Sequence, residues 1–125
     1  MRILNYHSIK EKRRARYVTA RHDLEDFLDD CERRGEPIVS PSDLDGSDLW
    51  RRPGFMLTFD DGYRDNYSSL FPILQARRHS AVIFLVVGQV GGRNTWDHGG
   101  ELAGEPLLDW EQIEEMSAAG VLFGS

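Results

Sequence analysis

F-M-L-T-F-D-D-G, residues 55–62, sets a mainly apolar run directly before two carboxylates and a glycine. The apolar residues of Phe55–Phe59 fall on both faces of an extended chain, which is typical of a strand in a parallel sheet that helices cover on each side. Gly62 permits a sharp turn after the carboxylates. We therefore predict a buried strand that ends at Asp60 and Asp61.

Upstream of this strand, the sequence predicts another strand over Arg2–Tyr6 and a helix that begins near Asp23. Four apolar residues recur in the helix at i, i+3, i+4 and i+7, on one face: Leu24, Phe27, Leu28 and Cys31. Gly35 offers a C-terminal stop for this helix. A second short strand is predicted at Pro37–Val39, and a surface loop at 45–53.

Downstream, the apolar spacing predicts a helix over Asn66–Arg77, in which Pro72 implies a kink or a later start. Ser80–Val87 is a continuous apolar run and predicts a buried strand. The Gly-rich stretch Gly88–Pro106 is long for a loop in so small a chain. Such a length indicates a functional loop or irregular structure.

The last predicted helix has a clear start, because Asp109 and Gln112 have the spacing of a capping box. Gly120 ends that helix, and Val121–Phe123 begins another apolar strand. Strands that alternate with helices predict an α/β fold with a parallel sheet, either open or curled into a barrel. The 125 residues suffice for a single domain, 1–125.

Composition excludes some functions. A net charge of −6 argues against a general nucleic-acid binder, and we expect the basic run Lys10–Arg16 to be a solvated loop. The longest apolar run, Ala81–Val87, is too short to span a bilayer. Met1 is followed by a predicted strand without the pattern of a signal peptide, so the cytoplasm is the default expectation.

The adjacent carboxylates indicate chemistry by their position, because sites in parallel α/β folds form at the C-terminal ends of the strands. If the backbone turns there, Asp60 and Asp61 converge and repel each other. A divalent metal resolves the repulsion, with one carboxylate as ligand and the other as proton acceptor. Asp-Asp-Gly can also be a plain turn that caps the next helix. Phosphoryl transfer by an aspartyl nucleophile usually shows Asp-x-Asp instead.

T-F-D-D-G-Y, Thr58 to Tyr63, resembles the first motif of the polysaccharide deacetylase family, carbohydrate esterase family 4. Flanking segments are similar to that family as well: I-L-N-Y-H-S-I, Y-R-D-N-Y-S-S-L-F-P-I-L, A-V-I-F-L-V, N-T-W-D and L-L-D-W-E-Q-I. The resemblance spans nearly the whole chain. It implies an irregular (β/α) barrel, of which the first strands and helices are present.

The resemblance also implies an activity: hydrolysis of N-acetyl groups from an amino-sugar polymer or oligomer, by water on a divalent metal, usually zinc. It makes Asp60 the catalytic base and Asp61 a metal ligand. Three further residues are candidates for substrate binding. His7 can reach the same rim from the first strand, Tyr63 follows the motif and either lines the pocket or packs beneath it, and Trp96 is a possible sugar-stacking platform.

One departure from the family matters. Its second motif, H-[ST]-x-x-H, normally follows the G-S found here at 124–125 and supplies two histidine ligands. We therefore expect a deacetylase-like domain truncated before that motif, which has an incomplete zinc site, binds zinc weakly and shows little or no activity. Uncovered sheet edges predict self-association.

Two other functional classes remain open. The chain can be a non-catalytic carbohydrate-binding or scaffold remnant, which would bind sugar without metal. It can also be a metal-dependent hydrolase or phosphatase that uses the same carboxylates on another substrate.

Overall fold

The computed structural model describes residues 1–43 and 51–125 of the chain. In that part of the chain the strands are β1 (Arg2–Tyr6), β2 (Ser8–Lys10), β3 (Val18–Ala20), β4 (Phe55–Phe59), β5 (Val82–Phe84) and β6 (Leu122–Gly124). The α-helices are α1 (Arg21–Arg34), α2 (Phe71–Arg77) and α3 (Trp110–Ala118). Strands alternate with helices along most of the chain, which confirms the predicted α/β class.

The main sheet has the order β1-β4-β5-β6, and each neighbouring pair is parallel. The register sets Tyr6 beside Phe59, Phe59 beside Ile83, and Ile83 beside Phe123. Because all four strands run in one direction, their C-terminal ends meet at one edge of the sheet. The residues that follow β1 and β4 therefore lie close together at this edge.

β4 is the most buried strand of the sheet, since each of its residues is buried. Leu57 and Phe59 are inaccessible to solvent and pack in a core with apolar residues from the helices. This agrees with the prediction that both faces of the 55–59 run are covered. The strand therefore provides a rigid base for the carboxylates that follow it.

Capping residues fix two helices as the sequence predicts. α1 starts two residues before Asp23 and ends at Gly35, which takes a left-handed conformation with φ 65°. At α3, the Asp109 carboxylate accepts from the Gln112 backbone N–H and the Gln112 side chain accepts from the Asp109 N–H, at 2.9 and 3.2 Å. The predicted capping box is confirmed.

The predicted helix over 66–77 consists of two unlike segments. Asn66–Leu70 is a π-helical segment, and α2 continues from Phe71 with Pro72 in its first turn. A proline is tolerated there because the first N–H groups of a helix have no intrahelical partner. The later start that Pro72 implied is thus correct for the α-helix.

Two predicted strands are wrong in extent. The run Ser80–Val87 forms a strand only over Val82–Phe84, because the chain enters a 3₁₀ turn at Val87–Gln89. Of the remaining apolar residues, Ala81 and Leu85 pack with the core and each makes one backbone hydrogen bond to β6, whereas Val87 is 50% exposed. Hydrophobicity alone therefore overestimated the strand. Pro37–Val39 makes a single bridge, between Ile38 and Phe55, because only this residue aligns with the sheet.

The sequence also missed the small parallel pair β2–β3. Lys10 belongs to β2 rather than to a loop, while residues 11–14 are exposed as expected for the basic run. Most of the predicted 45–53 loop lies outside the described residues. Within residues 1–43 and 51–125, none of the helices combines the length and apolar character needed to cross a bilayer.

Candidate active site

The chain reverses sharply where β4 ends. The Asp60 N–H still donates to the Tyr6 carbonyl at 2.9 Å, which continues the β1–β4 pairing. Asp61 and Gly62 then both take left-handed conformations, with φ 71° and 63°. The sequence attributed this turn to Gly62 alone, but Asp61 also adopts a left-handed conformation. The turn directs the two carboxylates towards the same end of the sheet.

Gly62 suits this turn mainly through its left-handed conformation, and a side chain there would also displace the end of the Leu85 side chain. A Cβ atom built on Gly62 would lie 2.7 Å from Leu85 Cδ2. Such a contact forces a neighbour to move, and a left-handed backbone is unfavourable for a residue with a side chain. The motif thus fixes the position of Asp61 through its glycine.

Asp60 is held by an amide on the neighbouring strand. Asn5 Nδ2 donates to Asp60 Oδ2 at 2.8 Å, and His7 Nε2 lies 3.8 Å from the same oxygen. Thr58 Oγ1 lies 3.0 Å from Asn5 Oδ1 and 3.1 Å from the Leu4 carbonyl oxygen, so its one proton is shared between these two acceptors, and the NH₂ group of Asn5 faces Asp60. The Asp60 carboxylate therefore has a defined orientation and remains partly exposed.

Asp61 faces a cavity of about 290 Å³ that His7, Tyr63 and Trp96 also line. Burial raises the pKa of the Asp61 carboxyl; His7 and a hydrogen bond from Tyr63 counteract this rise, whereas Asp60 and Asp97 reinforce it. The carboxylates repel one another in a partly desolvated space. The site is therefore suited to a cation or to a group that releases a proton.

A buried amide supports the far side of this cavity. Asn94 Nδ2 donates to the Tyr63 hydroxyl oxygen at 2.8 Å, and the two side chains are only 3% and 2% exposed. Asn94 Oδ1 accepts from the Asp97 N–H at 3.0 Å. Burial and the nearby Asp61 raise the pKa of the Tyr63 phenol. Tyr63 therefore both lines the cavity and packs beneath it, so the two placements that the sequence left open both apply.

His7 is positioned through its backbone. Asn66 Nδ2 donates to the His7 carbonyl at 2.9 Å. The Asp65 carboxylate accepts from the Ser8 hydroxyl and from the Ile9 N–H, and burial raises the pKa of that carboxyl. These bonds tie the start of β2 to the segment after the Asp-Asp-Gly turn.

Two aromatic residues stand at the cavity rim. Tyr17 and Trp96 both line the cavity and are 48% and 39% exposed. The Tyr17 ring also contacts His7, with the ring centroids 4.9 Å apart. Aromatic faces of this kind bind the apolar faces of sugar rings.

The structure therefore brings together the five residues that the sequence singled out. His7, Asp61, Tyr63 and Trp96 line one cavity, and Asp60 lies beside it, near His7. The plain-turn interpretation is wrong in one respect, because no side chain caps the segments that begin at Asn66 and Phe71. The carboxylates are thus free of a capping role there.

Sequence reasoning missed the supporting residues Asn5, Tyr17, Asn94 and Asp97. Asn94 and Asp97 lie in the N-T-W-D segment, whose position in a long polar loop was the available signal. Asn5 lies at an alternate position of a strand, where an amide is uncommon. Nothing in the sequence marks Tyr17.

The carboxylates do not make a metal site by themselves. Within residues 1–43 and 51–125, no three or more His, Cys, Asp or Glu side chains are grouped so as to hold a metal ion. A catalytic zinc needs three protein ligands. The described residues thus offer individual donors, Asp61 among them, and do not fit a complete zinc site.

The comparisons with known proteins agree with this geometry. A model of the polysaccharide deacetylase family matches residues 51–125, which is more than half of the chain. The chain belongs to the polysaccharide deacetylase family. The match includes the Asp-Asp-Gly turn, Tyr63 and the loop that carries Asn94 and Trp96, whereas His7 and Tyr17 lie outside it.

The proteins that this chain is similar to are longer than the chain. YxkH of Bacillus subtilis (strain 168), named as a polysaccharide deacetylase, is 32% identical over 66 residues, covering 53% of this chain and 19% of YxkH. The structure of IcaB from Ammonifex degensii is 28% identical, with a TM-score of 0.77 over 98% of this chain and 51% of IcaB. A de-N-acetylase from Aggregatibacter actinomycetemcomitans is 23% identical, with a TM-score of 0.75 over 98% of this chain and 52% of that protein.

The chain therefore spans about half the length of these solved structures and about a fifth of YxkH. The structural match over this length agrees with a partial barrel.

Proposed function

We propose that this chain provides part of the active site of a carbohydrate N-deacetylase, including its catalytic base. Such an enzyme hydrolyses N-acetyl groups of amino-sugar polymers or oligomers. The observation that carries the proposal is the turn after β4, which sets Asp60 and Asp61 beside one cavity with His7, Tyr63 and Trp96. Family membership and the name of the Aggregatibacter de-N-acetylase support the same reaction class.

Asp60 is proposed as the general base. Its carboxylate is partly exposed and has a fixed orientation, since Oδ2 accepts the Asn5 amide. A base needs this combination, because it must reach the attacking water and hold its own geometry. Asp60 would take a proton from water as the water oxygen attacks the acetamide carbonyl carbon. The carbon–nitrogen bond then breaks as this proton is passed on to the departing nitrogen, which gives the free amine and acetic acid, released as acetate.

Asp61 is proposed as one ligand of a divalent metal, with zinc as the leading choice. Its setting among Asp60 and Asp97 favours a cation electrostatically. The described residues do not complete a zinc site, so we propose that further ligands come from outside residues 1–43 and 51–125.

His7, Tyr63 and Trp96 are proposed as substrate-binding residues, together with Tyr17. The two exposed rings can stack on a pyranose ring while the carboxylates face the acetamide group.

The experiment assays the 125-residue chain at millimolar zinc, with and without chelator. Acetate release from N-acetylglucosamine oligomers is compared with phosphate release from p-nitrophenyl phosphate. We expect acetate release that is slow, sensitive to chelator and absent in Asp60→Asn, and no phosphate release. Sugar binding without any acetate would favour a non-catalytic carbohydrate-binding module. Phosphate release would favour a phosphatase.

We also propose self-association through the sheet. Among the described residues, β1 and β6 are edge strands of the main sheet, and Phe84 and Leu122 expose apolar side chains near one edge. Unpaired edges of this kind recruit other strands. Light scattering should detect dimers or larger species, and Leu122→Lys should reduce them. A monodisperse monomer in the unmodified chain would contradict the proposal.

A further inference from the structure

We propose that a groove beside the candidate active site binds neutral sugar residues that adjoin the reacting one in the substrate polymer. The groove has a volume of about 520 Å³ and lies between segments 10–18 and 101–105. The inference rests on the proposed function, because it extends the substrate site of a carbohydrate N-deacetylase. It also gives a role to the basic run Lys10–Arg16, no residue of which lines the cavity.

The groove and the cavity are built on the same segments of the chain. Tyr17 lines the cavity while Val18 lines the groove, and Leu102 lines both. Val18 and Leu102 are each only 3% exposed, and they pack with Tyr63, a cavity residue, in one small apolar cluster. The groove therefore adjoins the cavity, and its floor consists of residues that pack against the cavity wall.

The cavity alone is too small for an oligomer. Its volume of about 290 Å³ lies at the lower limit of small-molecule pockets, which measure roughly 300–1,000 Å³. A space of this size holds about one sugar residue, so the neighbouring residues of a polymer must lie outside it. The groove offers adjoining space, because the two share Leu102.

Two contacts hold the walls of the groove together. Lys10 Nζ lies 2.8 Å from Glu105 Oε1, and each of the two side chains is 32% exposed. The Glu101 carboxylate accepts from the Arg16 N–H at 2.8 Å. These contacts join segment 10–18 to segment 101–105, so the groove has a defined shape before a ligand binds. A preformed site loses less conformational entropy on binding than a flexible one.

The charges of the groove indicate a neutral ligand. Its lining contains as many cationic as anionic side chains: Lys10, Lys12 and Arg14 against Glu11, Glu101 and Glu105. A polyanion or a polycation would meet like charges on half of them. Sugar hydroxyl groups both donate and accept, so they can pair with the carboxylates and with the cationic groups together. The apolar floor suits the C–H faces of a pyranose ring.

The test is an NMR titration of the metal-free 125-residue chain with N-acetylglucosamine and with its tetramer. We expect the monomer to shift the Trp96 signals in the cavity. The tetramer should also shift the backbone amides of Ala15 and Glu105, which line the groove. This comparison uses the unmodified chain and therefore does not depend on the folding of a variant.

Substitutions on the basic wall then test the groove directly. Lys12 and Arg14 are exposed and form no ion pair within residues 1–43 and 51–125, so their donors are available to a ligand. We expect Lys12→Ala and Arg14→Ala each to weaken tetramer binding about tenfold, the loss of one charge-assisted hydrogen bond, and to leave the monomer affinity unchanged. Arg13→Ala is the matched control and should change neither affinity, because Arg13 is exposed and basic but does not line the groove.

Two outcomes would overturn the groove as a binding site: a tetramer that leaves Ala15 and Glu105 unshifted, or an equal loss of monomer and tetramer affinity in Arg14→Ala. A hyaluronan tetrasaccharide, in which glucuronate alternates with N-acetylglucosamine, should bind no more tightly than the neutral tetramer. Binding that is tenfold tighter would overturn the assignment to neutral sugar residues.

Failure of this inference is seen separately from failure of the proposed function. Tetramer binding in the groove without acetate release would support the groove and contradict the deacetylase proposal. Acetate release without any shift at Ala15 and Glu105 would support the deacetylase and overturn the groove.

Discussion

Two walls enclose the candidate site, and they are built in different ways. The strand wall consists of residues at or near the ends of β1 and β4: Asn5, His7, Asp60 and Asp61. The loop wall lies in the 88–106 segment: Asn94, Trp96 and Asp97. Regular sheet pairing places the first wall, whereas backbone and side-chain hydrogen bonds within a loop place the second. The comparison indicates that the two carboxylates and Trp96 are positioned by separate structural supports.

The largest expected effect tests the strand wall through Gly62→Ala. A left-handed backbone and a 2.7 Å contact with Leu85 both oppose a Cβ here, and we expect a loss of about 2–4 kcal/mol in the free energy of unfolding. Gly99→Ala is the matched control in the loop wall, with φ 73° and open space around the Cβ. It should cost about 1 kcal/mol.

Urea unfolding followed by circular dichroism measures both variants. Equal losses in the free energy of unfolding for Gly62→Ala and Gly99→Ala would mean that Leu85 moves aside without an energetic cost. The strand wall would then be no more constrained than the loop wall.

The strand wall, apart from Asn5, was predictable because its signals are periodic and local. The apolar run 55–59, the carboxylates after it and Gly62 identify a strand end and a turn, and parallel pairing then brings His7 close. The loop wall depends on hydrogen bonds such as that between Asn94 and Tyr63, which join residues 31 positions apart. No periodicity encodes such a contact, so only Trp96 could be proposed, from its residue type.

The same reasoning explains the errors in the fold. Asp109 and Gln112 form their capping box within one turn of chain, so sequence spacing predicts it. The limits of β5 depend on which residues align with β4 and β6, and this information is not local. The β2–β3 pair was missed because three-residue strands leave no pattern of their own.

A second prediction concerns zinc binding, for which the strand wall provides one ligand, Asp61. We expect weak zinc binding by the 125-residue chain, because Asp61 is one ligand where three are needed. Asp61→Asn should remove the residual binding, and asparagine tolerates the left-handed backbone that alanine would strain. Asp26→Asn, on the exposed surface of α1, is the control.

Isothermal titration calorimetry makes this measurement. Tight stoichiometric zinc that disappears in Asp61→Asn would show that the chain completes the metal site itself.

A third prediction separates binding from chemistry between the two walls. Trp96→Ala should weaken N-acetylglucosamine oligomer binding about tenfold, because a stacking face is lost. Asp60→Asn should leave the affinity nearly unchanged. Trp110→Ala is the matched control, since Trp110 is exposed on α3 and does not line the cavity. NMR titration gives the affinities, and a stronger effect for Asp60 than for Trp96 would reverse the assignment of the walls.

The smallest expected effect is a pH dependence that Asp61 imposes on the metal-free chain. Burial is the main cause that raises the pKa of its carboxyl above the ordinary value of 3.8, so the folded state binds this proton more tightly than the unfolded state. The resulting stabilisation is present below pH 3.8 and is lost as the pH rises through the raised folded-state pKa. Asp61→Asn carries no charge at any pH.

Urea unfolding of both chains across pH 3 to 7 should therefore show Asp61→Asn gaining stability relative to the unmodified chain as the pH rises. The difference between the two chains isolates Asp61, because the raised pKa of Asp65 affects both equally. A constant difference across this range would mean that the cavity does not disfavour the Asp61 charge, and the electrostatic case for a cation beside the strand wall would be lost.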